Sequence, residues 1–361
     1  MLEPESEADL ARMVRDATGP LEVRGGGTRA PLAGGDLTTR RMSGIVLYEP
    51  GALTMVARAG TPMVEIEDAL TREGQRLAFE PWDSRRVLGR DGTPTLGGCV
   101  ATNASGPRRM VAGAARDSVI GVRFVDGDGA VIKNGGRVMK NVTGIDLTKL
   151  MCGSRGRLGI LTEIGLKLLP GVAATATLRA HGLDPAGAVA AMSAALGTPF
   201  EVTGAVHEPQ LGTMLRIEGS ETSVAYRAER LRHALAAYGE WQLEGDVSWT
   251  DLRDATGFAA PSDDLWRISV RPSHAAQLVA GLPGRWMMDW GGGLIWAEAP
   301  AGTDLRALMG LPGHATLIRA DPETHAALGT IHPGSDAVER LTRDIAARFD
   351  PRGIFAGAVP A

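Results

Sequence analysis

Cysteine is nearly absent from this chain: Cys99 and Cys152 are the only two. Two thiols cannot build a disulfide framework, and an iron–sulfur cluster normally takes about four, so both read as small core residues. No uninterrupted apolar run could span a bilayer, and no charged start followed by an apolar run marks an export signal. The expected address is therefore the cytoplasm. A dominant charge is also lacking, since 38 Lys and Arg against 42 Asp and Glu leave a net charge of -4. Neither nucleic acid nor an anionic membrane is an obvious electrostatic partner at that balance. The seven histidines show no H-E-x-x-H or other tight ligand spacing, so no metal is expected. Nor does a G-x-G-x-x-G run open a helix after a strand, which removes the Rossmann dinucleotide fingerprint.

What remains is a 361-residue chain with 44% hydrophobic and 22% charged residues, enough core for two or three domains. Its 48 glycines gather in clusters that lead into or out of strands. Pro94 to Gly129 is the stretch around which the rest is organised. Gly97, Gly98, Gly106 and Gly113 stand where the main chain would turn sharply or approach a ligand closely. Thr95, Thr102, Asn103 and Ser105 supply hydrogen-bonding groups between them, and Arg108, Arg109 and Arg116 supply positive charge. The run VIGVRFV then predicts a strand, closed as a hairpin by Asp126-Gly127-Asp128-Gly129. A second cluster, Arg24-Gly25-Gly26-Gly27-Thr28-Arg29, follows the short strand Leu21–Val23, and a third runs from Gly153 to Gly159. Turns that aim several N–H groups at one point bind phosphate well. Three of them suggest loops converging on an extended ligand with a pyrophosphate, the plain alternative being flexible surface loops.

Beyond Ala173 the composition changes and an internal repeat appears in the order of elements. Strand, helix, strand, strand, helix, strand can be read from Thr175 to Leu243 and again from Leu265 to Arg319. Each is a split β-α-β-β-α-β unit, and two side by side would make an antiparallel sheet with helices on one face. Pro322 to Ser335 reads as a linker, and Asp336 to Phe349 as a final amphipathic helix.

RGGGTR, GGCVATNASGPRR, RDSVIGVRFV, VMKNVTGIDLTKLMCGSRGRLGILTEIGLKLLP, LPGRWMMDWGGGLIWAE, GHAT and FDPRGIF carry a resemblance that covers nearly the whole chain. Together they resemble the FAD-binding (E) subunit of bacterial glycolate oxidase, within the vanillyl-alcohol-oxidase/PCMH flavoprotein superfamily. The resemblance implies an α+β fold: a PCMH-type FAD-binding domain of two α+β subdomains over 1–171, a ferredoxin-like cap over 172–321, and a linker and helix over 322–361 returning to the first domain. It implies FAD, with Gly25, Gly26, Gly27 and Thr28 at the pyrophosphate. Thr95, Gly97, Gly98, Ala101, Ser105 and Gly106 would pass along the flavin, and Gly159 and Ile160 would close on the adenine side. Gly113 belongs to the same cradle, and Arg108, Arg109 and Arg116 are the arginines expected nearest negative charge. Thr28 stands where covalently flavinylated relatives commonly carry histidine, so the FAD is expected to be non-covalent.

The implied activity is FAD-dependent oxidation of a small 2-hydroxy acid, glycolate, to glyoxylate. Electrons would pass to an iron–sulfur subunit in a complex with a second FAD-containing subunit. Any membrane association would come through that complex. A stand-alone flavin oxidoreductase acting on another hydroxyacid or a sugar, or a catalytically silent FAD-binding assembly subunit, are the competing readings. His314 is a candidate base or a structural histidine at a strand start. Arg267 could bind a carboxylate or a semiquinone anion if its strand face looks toward the flavin, and is otherwise on an ordinary exposed strand face. Exposed tryptophans near the Asp289–Gly293 hairpin are the expected partner contact. One departure stands out. The family pattern places asparagine and arginine near the flavin at its end, whereas this chain reads Ala356-Gly357-Ala358-Val359 after FDPRGIF. The isolated chain is accordingly expected to be a poor hydroxyacid oxidase.

Overall fold

The computed structural model describes residues 1–29, 34–136, 145–245, 247–260 and 263–355. The whole VMKNVTG motif (residues 138–144) and the Ala356–Val359 departure lie outside these residues. The chain divides into two compact units, the first made of Met1–Ser105, Gly113–Gly171 and Pro333–Ala361. Gly106–Ala112 and Val172–His332 make up the second.

In the first unit, β1 (Val23–Arg24) and β2 (Leu37–Thr38) form a short parallel pair. The main sheet uses β3 (Ile45–Glu49), β4 (Thr54–Arg58), β5 (Gln75–Leu77), β6 (Val119–Val125), β7 (Val131–Gly135) and β8 (Ile160–Pro170). Its order is β3-β4-β8-β6-β7, with β5 pairing the end of β8 and every neighbour antiparallel. Long β8 is central because Ile164, Leu166 and Leu168 recur at period two and are all fully buried. The helix Met63–Arg72 lays Met63, Ile66 and Leu70 on the same core, the spacing of one helical face. A smaller cluster joins Leu10, Val14 and Leu37 to Ile354 and Phe355. The FDPRGIF turn is fixed there by Asp350, whose carboxylate accepts the N–H groups of Ile354 (2.8 Å) and Phe355 (2.6 Å). The helix Asp336–Phe349 also packs on this unit, with the Phe349 ring 6.0 Å from Phe124.

The second unit is one eight-stranded sheet of β9 (Ala174–Ala180), β10 (Val202–Glu208), β11 (Gly212–Gly219), β12 (Gln242–Glu244), β13 (Asp264–Val270), β14 (Trp286–Asp289), β15 (Leu294–Ala299) and β16 (Gly313–Arg319). The order β12-β9-β11-β10-β14-β15-β13-β16 is that of two split units joined edge to edge through β10 and β14, where His207 faces Met288. The helices Pro185–Leu196, Glu221–Ala234 and Pro272–Ala280 contribute to a single core with Leu215, Trp266, Ile268 and Ile295. The first of these helices starts where the sequence predicts: Asp184 accepts the Gly187 N–H at 2.7 Å and Pro185 follows it.

Four details differ from the sequence reading. Leu96–Ala101 is a helix rather than a turn. Gly97 is needed there because a Cβ would stand 2.9 Å from both Cβ and O of Ala59, so the helix lies directly against the end of β4. The supposed linker contains a helix, Pro322–Leu328, capped by Asp321 on the Thr324 N–H at 2.7 Å. Trp290 is only 6% exposed, which removes it as a partner contact. Finally, Gly106–Ala112 packs within the second unit. There the Trp290 indole N–H donates to the Gly106 carbonyl at 3.0 Å, and the Arg109 guanidinium lies 4.5 Å from that ring's centroid.

Candidate flavin site

The three glycine-rich segments of the first unit meet around one open cleft. Its wall takes Arg24 to Arg29 from the loop after β1, Thr95 to Thr102 from the helix Leu96–Ala101, and Ser154 to Leu161 from the entry to β8. Gly26 is the tightest point. A Cβ there would fall 1.6 Å from the Thr93 carbonyl oxygen, so only glycine lets the loop run against the neighbouring backbone. Gly27 then turns at φ +74°, in the left-handed region. Thr28 is buried, and its carbonyl accepts the Ser84 hydroxyl at 2.7 Å, which fixes the loop's far end. Thr95 caps its helix, and Thr102 returns its hydroxyl to the Gly98 carbonyl at 2.8 Å.

Charge in the cleft has one sign. Arg24, Arg29 and Arg155 are in its lining, and no aspartate or glutamate is among the described residues there. Arg29 is held in place by its Nη2, which donates to the Trp82 carbonyl (2.7 Å) and Cys99 Sγ (3.1 Å). Its Nε and Nη1 are buried without a hydrogen-bond partner, as are Arg24 Nε and the Ser154 hydroxyl. Burial alone holds the Arg155 guanidinium below the usual arginine range. Leaving a buried donor unsatisfied costs about 1–3 kcal/mol each. Such a set is completed by an anion rich in acceptor oxygens. Cys99, beneath Arg29, is not an ionised thiol, because burial pushes its pKa up against the smaller opposing effect of the arginine.

Of the residues singled out from sequence, Gly25, Gly26, Gly27, Thr28, Thr95, Gly97, Gly98, Ala101, Gly159 and Ile160 all line this cleft. The others lie outside its lining. Ser105 takes the Ala115 N–H on its hydroxyl (3.0 Å), Gly113 turns at φ +81°, and Arg116 is exposed with Asp117 3.8 Å away. Gly106, Arg108 and Arg109 are in the second unit. Arg108 forks onto Glu218 with bonds of 3.0 and 2.8 Å. His314 is exposed and stacked on His332, with ring centroids 5.4 Å apart. Arg267 lies between Trp290 and Trp296, 4.9 and 5.8 Å from their centroids. Sequence reasoning placed Arg24 and Arg29 at the ends of a candidate phosphate nest without giving them a role, and missed Ser154 and Arg155 as site residues. The signal was present, since arginines flank one glycine run and interrupt another.

Residues 1–135 match the FAD binding domain family. Over 93% of its length the chain is 36% identical to glycolate oxidase subunit GlcE of Escherichia coli, covering 91% of that protein. The chain belongs to this glycolate oxidase subunit family. It is an FAD-linked oxidoreductase, related more distantly to D-lactate dehydrogenase of Archaeoglobus fulgidus (34% identical over 46% of this chain and 37% of that protein). Glycolate oxidase subunit GlcD of Bacillus subtilis is 34% identical over 42% of this chain and 32% of its own length. Alkyldihydroxyacetonephosphate synthase shares the fold, with TM-score 0.66 at 17% identity, over 98% of this chain and 75% of that one. The cleft fits FAD. Its orphaned donors suit phosphate oxygens, and its glycines leave the main chain open to a ligand.

Proposed function

We propose that this chain is the FAD-bearing subunit of a glycolate oxidase complex, contributing to oxidation of a small 2-hydroxy acid to the 2-oxo acid. The reading rests above all on the cleft's surplus of buried donors, with no carboxylate in its lining, in a chain similar along its length to a glycolate oxidase subunit. FAD, when bound, supplies the two-electron acceptor. The chain's own residues bind and orient it. Gly25 to Thr28 present main chain to the pyrophosphate. Thr95, Gly97, Gly98 and Ala101 provide a wall without bulky side chains along the flavin, and Gly159 and Ile160 border the remaining side. Thr28 and Cys99 offer no covalent link, the first being a hydroxyl and the second a buried thiol engaged by Arg29.

With only two cysteines, both buried, this chain cannot itself hold an iron–sulfur cluster, and in this reading electrons leave through a cysteine-rich iron–sulfur partner, with a second flavoprotein in the complex. No helix among the described residues is long and apolar enough to cross a membrane. His314 as a base and Arg267 as a carboxylate-binding group remain proposals, testable by substitution in the assembled complex. Acid precipitation of the purified chain tests the cofactor and its mode of binding together. All flavin should move to the supernatant and run as FAD; a yellow pellet, or a colourless preparation, contradicts the reading.

A further inference from the structure

Two of the cleft's arginines come from segments more than a hundred residues apart in the chain, Arg29 after β1 and Arg155 before β8. We propose that Arg29 and Arg155 form a guanidinium clamp on the FAD pyrophosphate, so that dinucleotide flavin is selected by side-chain charge as well as by the glycine loops. The inference deepens the flavin-binding reading and depends on it.

Each arginine is built for the task differently. Arg29 arrives pre-oriented. One nitrogen is committed to the Trp82 carbonyl and Cys99, and Trp82 lies 5.6 Å from its guanidinium, while Nε and Nη1 stay buried and unpartnered. A fork fixed on one side and vacant on the other is the geometry that takes a phosphate with little further loss of rotamer freedom. Arg155 sits at φ +54°, a left-handed conformation unfavourable for a residue with a side chain. Its own N–H donates to the Ala101 carbonyl at 2.9 Å, which ties the loop to the cleft's helix and holds that conformation. Glycine would relieve the strain, as it does at Gly153 and Gly156 on either side, at φ +91° and +81°. Arginine in this place keeps a cation in the lining, desolvated and without a carboxylate, beside the unpartnered Ser154 hydroxyl. Backbone strain held next to unmatched charge marks a position shaped by its ligand.

The test uses deflavinated full-length protein and three probes of increasing charge: riboflavin, FMN and FAD, each titrated by fluorescence. Wild-type protein should prefer FAD, with affinity falling as salt rises. Arg155→Ala should weaken FAD by about ten- to a hundredfold and leave riboflavin within about twofold, and Arg155→Lys should recover part of the loss. Arg29→Ala should show the same selective loss; since Arg29 also braces Trp82, the native circular dichroism of each apo variant is required alongside. Equal weakening of riboflavin and FAD in Arg155→Ala, or no change in FAD affinity, overturns the clamp. Failure of wild-type protein to bind FAD would instead defeat the reading on which the clamp rests.

Discussion

Glu218 is the acidic partner of a buried fork. Its carboxylate takes Arg108 Nε and Nη2 at 3.0 and 2.8 Å, with Arg216 Nε 3.8 Å away. The three side chains are 9% or less exposed. Replacing Glu218 by alanine leaves two guanidiniums in one buried place with their shared carboxylate gone. Breaking a buried pair from one side costs about 3–5 kcal/mol, and the result here should lie at the upper end. Arg108→Ala is milder, because Glu218 keeps Arg216 nearby; about 1.5–3 kcal/mol is expected for a lost charged hydrogen bond. The asymmetry is the useful quantity, since both variants break the same fork. Urea unfolding followed by tryptophan fluorescence measures it well, as Trp241, Trp249, Trp266, Trp286, Trp290 and Trp296 all lie in the second unit and only Trp82 in the first. A loss below about 1 kcal/mol for Glu218→Ala, on the scale of an exposed pair, would refute the reasoning. So would equal losses in the two variants.

Other outcomes follow from single sites. Gly26→Ala puts a methyl 1.6 Å from the Thr93 carbonyl oxygen, so the variant should be purified with its flavin content cut by more than about tenfold; wild-type occupancy would contradict the packing. His207 is buried against Thr213 and Trp286, and burial lowers its pKa from 6.5 to about 4. The folded state therefore binds fewer protons than the unfolded state between those values, so stability is complete above pH 6.5 and falls toward pH 4, by about 3 kcal/mol in all. His207→Gln should flatten that part of the stability profile, and an unchanged slope would assign the acid sensitivity elsewhere. Burial pushes the Cys152 thiol up to about 12 and also raises Cys99. Neither should react readily with a thiol reagent until the chain unfolds, and fast labelling of native protein would show the burial to be wrong.

The repeat of the second unit was legible because each half writes its own punctuation. Asp184-Pro185 starts one helix and Gly197 ends it, and short apolar runs set off by such helix signals give the order of elements. The glycine loops were legible for a related reason: Gly26 and Gly27 occupy backbone positions that other residues do not tolerate. What composition could not convey was the use of the arginines. Arg108 and Arg109 follow a glycine-rich turn in sequence, as phosphate-binding arginines do, yet their partners Glu218 and Trp290 come from strands read as a separate domain. Local pattern carries no information about a contact 110 residues away. Arg155 was overlooked for the opposite reason, since among glycines it looks like an interruption, and only its tie to Ala101 shows it facing the cleft. The Leu96–Ala101 helix hid behind two glycines that weaken helix propensity and are kept for close packing on Ala59 and for room at the cleft.

We propose that the FAD of this chain works as one part of a larger hydroxyacid-oxidising complex. Anaerobic stopped-flow absorbance of the flavin, on the purified chain mixed with glycolate alone and then with its partner subunits, tests it most directly. The flavin spectrum should bleach with glycolate slowly or not at all in the isolated chain and rapidly once the partners are present. Bleaching of the isolated chain within milliseconds would make it a self-sufficient oxidase, and a chain without flavin would contradict the claim outright.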